Sequence, residues 1–160
     1  MYLLANQEKS IVVNVVADMN TIVNFSVLDE LGKYDKESNP NKLSVFDLLP
    51  TGVSWLYGTK KIEIRDDNKI IPLLLLGDTG VALVRAPFDK DKSQAYILNP
   101  AGDIMWNVKG IIDKKIKDII FHDVYYISDI LFFFINVNGC DYRFSFDVDT
   151  GIAGEIIKSY

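Results

Sequence analysis

The sequence predicts a mainly β protein, an antiparallel β meander, sandwich or partly propeller-like sheet with at most one or two short helices. Three observations predict it. The C-terminal quarter reads as four strands, Ile119–Ile127, Ile130–Val137, Cys140–Val148 and Ile152–Lys158, broken only by Ser128-Asp129, Asn138-Gly139 and Asp149-Thr150-Gly151. Asn-Gly between two apolar runs is a hairpin signal, because both residues tolerate the positive φ of a type I′ turn. Upstream, Val- and Ile-rich stretches alternate with period two, as in Lys61–Arg65, where Ile62 and Ile64 share a face. Turn chemistry returns roughly every 8–12 residues, giving about ten strands.

At 160 residues, the chain is read as one β-rich domain, residues 1–160, long enough to bury a core. Its first hairpin is Ile11–Val16 and Thr21–Leu28, joined through Ala17-Asp18-Met19-Asn20. Asp29 to Lys42 is a polar loop, long for a compact domain. Leu43–Leu49 reads as a strand or as a short helix capped by Ser44, and Val53–Tyr57 follows as a strand after Pro50-Thr51-Gly52. Asp66-Asp67-Asn68-Lys69 is a turn. The apolar run Ile70–Leu76 is expected to be covered on both faces, with Pro72 placing it at a sheet edge or delaying its start. Val81–Ala86, Gln94–Leu98 and Asp103–Val108 are the next strands, separated by the charged tip Phe88-Asp89-Lys90-Asp91-Lys92 and by Asn99-Pro100-Ala101-Gly102. Ile111, Ile112, Ile116, Ile119 and Ile120 follow helical spacing and predict one or two helical turns.

Composition excludes several function classes. The formal charge of −5, with arginine only at positions 65, 85 and 143, argues against a nucleic-acid binder and permits a basic protein partner. The longest apolar runs are far shorter than the roughly 20 residues that span a bilayer, and no secretory signal is visible. The expected location is cytoplasmic. The single cysteine, Cys140, rules out an intrachain disulfide and is read as a small buried apolar residue.

Chemistry has little material. His122 is the lone histidine, beside Asp123 in a strand pattern, and no Gly-x-Ser-x-Gly or phosphate loop occurs. Asp89-x-Asp91 and Asp147-x-Asp149 do not continue into a calcium loop, so no metal or cofactor is expected. Asp-Thr-Gly at 78–80 and 149–151 lacks the context of an aspartic protease and reads as turn chemistry. Trp55 and Trp106 are placed in the core. Phe132, Phe134, Phe144 and Phe146 alternate in step, marking the C-terminal meander as the centre of stability.

Two turns, in Tyr96–Trp106 and Phe144–Ile152, are similar to hairpins of β-propeller blades, the second to the Asp-x-x-x-Gly hairpin of quinoprotein-type blades, and Val27–Lys33 resembles them more faintly. Their starts at Asp29, Asn99 and Asp147 lack a blade's regular period of about 40–50 residues. They are read as ordinary hairpin turns, and no cofactor follows from them.

The chain also resembles immunity proteins of bacterial polymorphic or contact-dependent toxin systems. The likeness lies in length, acidity, an Asn- and Ile-rich single domain and the missing active-site motif. It implies a non-catalytic protein that binds and neutralises a cognate basic toxin domain, such as a nuclease, and it transfers no residue roles. The alternative is a ligand- or carbohydrate-binding β domain. Candidate partner contacts are acids at exposed turns: Asp35, Glu37, Asp66, Asp67, Asp89 and Asp91.

Overall fold

A computed structural model describes residues 20–159. The expected strand Ile11–Val16 and most of the turn after it lie outside the described residues. Among the described residues, three antiparallel sheets follow one another, each with its long strands in sequence order, and none closes into a barrel. The first holds β1 (Ile22–Leu28), β2 (Gly52–Tyr57) and β3 (Lys60–Arg65). The second holds β4 (Ile70–Leu74), β5 (Val81–Arg85), β6 (Gln94–Leu98) and β7 (Ile104–Asn107). The third holds β8 (Ile119–Ile127), β9 (Ile130–Val137), β10 (Cys140–Asp147) and β11 (Ile152–Ala153), with β12 (Ile157–Lys158) pairing on β10. Among the described residues, two short α-helices interrupt the β structure, α1 (Val45–Leu48) and α2 (Val108–Ile112).

The second sheet lies between the other two, and β5 explains how. Val81 and Leu83 pack with Val53, Trp55 and Ile62 of the first sheet. Ala82 and Val84 pack on the other side with Phe121, Phe133 and Phe144 of the third. A strand covered on both faces needs apolar residues at every position rather than at alternate ones. Two alanines, Ala82 and Ala95, leave room for the phenylalanines opposite. Pro72 sits within β4, which is an edge strand, so its missing N–H breaks no ladder between two neighbours.

Local chemistry settles one open reading and corrects three expectations. Of the two readings of Leu43–Leu49, a strand or a short helix capped by Ser44, the helix is the one that forms. Ser44 accepts from the Asp47 N–H at 3.1 Å while Asp47 reaches back to the Ser44 N–H, and this capping box starts α1. The strand expected to reach Val108 stops at Asn107, whose side chain accepts from the Gly110 N–H at 3.0 Å and opens α2. The helical spacing of the isoleucines ends early, because Ile119 and Ile120 already belong to β8. Cys140 is exposed, since it directly follows the turn.

The phenylalanine pattern is also redistributed. Ser128, Asp129, Asn138 and Gly139 all have positive φ, so two tight turns set the register. That register opposes Phe144 to Phe133 and Arg143 to Phe134. Phe133, Phe144 and Phe146 therefore share the inner face with Phe121, while Phe132 and Phe134 face outward. Phe134 is nevertheless buried, stacked on Tyr125 with ring centres 4.2 Å apart.

Candidate functional site

Backbone hydrogen bonds gather the acidic loops at one end of the sheets. Thr51 N–H donates to Leu28 at 3.0 Å, Asp66 N–H to Thr51 at 2.7 Å, Ile70 N–H to Pro50 at 2.9 Å and Ala86 N–H to Lys69 at 3.1 Å. The β1–β2 connection, which carries Asp35 and Glu37, is thus rooted beside the Asp66–Lys69 turn and the 86–93 loop. Residues chosen from three separate turns share one end of the molecule.

Their side chains divide into two groups. Asp35, Asp66 and Asp89 shape their own loops. Asp35 accepts from the N–H groups of Glu37 at 3.1 Å and Ser38 at 3.3 Å. The Ser38 hydroxyl and these amides hold its carboxyl below the usual range. Asp89 accepts from Asp91 N–H at 2.8 Å and Lys92 N–H at 2.9 Å, and the Lys92 amide foremost lowers its carboxyl in the same way. Asp66 accepts from Asn68 N–H and from Arg85 Nε, each at 2.8 Å. Glu37, Asp67 and Asp91 are exposed.

Exposed apolar side chains lie on the same loops. Phe46 and Val45 of α1 are exposed, and so is Phe88. Lys69 Nζ donates to the Leu49 carbonyl at 3.1 Å and lies 5.9 Å from the centre of the Phe46 ring. Phe88 is held by its N–H, which donates to the Phe121 carbonyl at 3.0 Å, and its ring stacks beside His122. Sequence reasoning placed Phe88 in a charged tip but named neither it nor Phe46 as a candidate contact, because only the acids of the turns were chosen.

His122 occupies a bulge in β8, where the register against β9 shifts between Phe121 and Asp123. Its Nε2 lies 3.6 Å from an Asp141 carboxylate oxygen, beyond direct hydrogen-bond reach. A pocket of about 350 Å³ here is lined, among the described residues, by Phe88, Ile120, His122, Asn136 and Asp141, none of which presents a hydroxyl or thiol to the imidazole. Burial pushes the neighbouring Asp123 carboxyl up, against the hydrogen bond it accepts from Val124 N–H at 2.9 Å. Among the described residues, no three His, Cys, Asp or Glu side chains are grouped to hold a metal ion. No helix among them is long and apolar enough to cross a membrane.

The opposite end of the sheets carries an open groove of about 700 Å³ between the β4–β5, β8–β9 and β10–β11 turns. Asp147 and Asp149, read from sequence as turn residues, line it together with Asp129.

Neither protein-family models nor curated proteins match this sequence. A solved chain in the structure of Tne2 in complex with Tni2 is similar in fold, with a TM-score of 0.61 and 14% identity over 87% of this chain and 99% of that one.

Proposed function

We propose that this protein is a non-catalytic binding protein of the immunity type, which holds a basic protein partner, a toxin domain such as a nuclease, in the cytoplasm. The observation that carries the reading is the loop end. Exposed Phe46 and Phe88 lie on the loops that also carry the exposed carboxylates Glu37 and Asp91, and the turn that holds Asp67 is rooted beside them. Interfaces draw their binding energy from such aromatic anchors, while surrounding charge steers the encounter. The net charge of −5 suits a basic partner. The similar fold found in a two-protein complex supports a protein partner.

The test is copurification from the native source, followed by association kinetics with the captured protein. E37K/D67K/D91K is expected to slow association about tenfold at low salt and to flatten its salt dependence. Phe88→Ala is expected to speed dissociation. Unchanged kinetics in both variants would remove the loop end as the contact surface. A metal-independent hydrolase activity abolished by His122→Ala would overturn the binding reading itself.

A further inference from the structure

The groove at the far end differs from the loop end in its charge. At the loop end, Lys69, Lys90 and Lys92 alternate with the acids, and Asp66 is paired with Arg85. Among the described residues, the groove is lined by Asp129, Asp147 and Asp149 and by no lysine, arginine or histidine. Its rim is aliphatic as well: Leu76, Ile130 and Ile152 are 54%, 51% and 65% exposed. Single exposed aliphatics are ordinary, but three around one groove form a patch that a partner can cover.

The walls are built. The Tyr126 hydroxyl accepts from the Leu76 N–H at 3.0 Å and ties the β4–β5 turn to the third sheet. Asp147 accepts from the N–H groups of Asp149 at 2.9 Å and Thr150 at 3.3 Å, which sets the shape of the β10–β11 turn. Asp129 and Asp149 stand exposed on either side.

We propose that this groove docks a basic segment of a protein partner, one that carries lysine or arginine beside aliphatic side chains. The aliphatic rim removes apolar surface of that segment from water. Carboxylates covered without a cation would lose hydration uncompensated, so the occupant brings positive charge. An open groove bounded by three turns matches a chain segment, which can meet separated carboxylates along its length. This surface is distinct from the loop end and stands or falls separately from it.

The experiment is a titration of the nitrogen-15-labelled protein with the peptide acetyl-Lys-Leu-Lys-Leu-Lys-amide, followed by amide chemical shifts, with the glutamate analogue of the same peptide as control. The expected shifts map to residues 75–80, 126–131 and 145–154, and the glutamate peptide produces none. D129N/D149N is expected to weaken the lysine peptide at least about fivefold at low salt, with an unchanged melting temperature. I152S is expected to weaken it at any salt. E37K/D67K/D91K is expected to leave it unaltered, so a variant that loses partner capture but keeps peptide binding separates the two proposals. Absence of binding, equal binding of the glutamate peptide, shifts centred elsewhere, or indifference to D129N/D149N would each overturn the groove as a basic-segment site.

Discussion

The indole N–H of Trp55 donates to the carbonyl of Pro100 at 2.7 Å, joining a strand of the first sheet to the β6–β7 turn of the second. Trp106 repeats the relationship one sheet further on, donating to the Val148 carbonyl at 2.7 Å in the β10–β11 turn. Each turn is opened by a side chain that accepts backbone N–H groups, Asn99 in one and Asp147 in the other. The two turns that resemble propeller hairpins in sequence are thus the points where neighbouring sheets dock. A buried indole needs an acceptor for its N–H, and a turn carbonyl pointing away from its own hairpin supplies one.

Trp55→Phe keeps an aromatic ring in place but strands the Pro100 carbonyl. We expect a loss of about 1–3 kcal/mol. Urea unfolding at pH 7 measures it, and an unchanged midpoint would mean that ring packing alone joins these sheets.

Gly151 and Gly139 separate backbone strain from contact. Both have positive φ, at 72° and 83°. A Cβ on Gly151 would lie 2.6 Å from the Trp106 ring, whereas one on Gly139 meets nothing within 4 Å. Gly139→Ala should cost about 1 kcal/mol from conformation alone. Gly151→Ala should cost distinctly more, and equal melting-point losses would show that the Trp106 contact yields without penalty.

Phe133→Ala should cost about 3–5 kcal/mol, because the ring is fully buried among Phe121, Phe144 and Phe146. Phe132 faces outward and is half-buried beneath the Arg143 guanidinium, whose centre is 5.3 Å from the ring centre. Its replacement should cost clearly less. Thermal unfolding of the two neighbours tests the assignment of faces, and a reversed order would refute it.

Two aspartates should bend the pH dependence of stability in opposite directions. Lys36, through its hydrogen bond, holds Asp29 below the usual carboxylate range. That contribution is complete above the unfolded value of about 4 and is lost as pH falls through the folded one. The deficit of Asp29→Asn relative to the parent should therefore shrink on acidification below about pH 4. Asp123 is raised by burial, so the folded state holds its proton longer and loses stability as pH rises from about 4 through the folded value. Asp123→Asn should gain relative to the parent across that rise. Urea midpoints between about pH 3 and 7 measure both, and parallel curves for variant and parent would negate the assignment.

Sequence by itself determined the β class, the antiparallel C-terminal meander and most strand limits. The reason is that turn chemistry and period-two alternation are local: Asn138-Gly139 needs only its own φ angles to reverse the chain. The capping box at Ser44 and Asp47 is equally local, yet four helical residues are too few for periodicity to tell them from a strand. The sequence also named the three acidic loops, since Asp and Asn at turns are exposed. Tertiary structure alone decided that those loops share an end, that Phe133 rather than Phe134 faces the core, and that Asp129, Asp147 and Asp149 line one groove. These depend on how sheets stack, through partners such as Trp106 and Val148, far apart in sequence and linked only after each sheet has buried its face against the next.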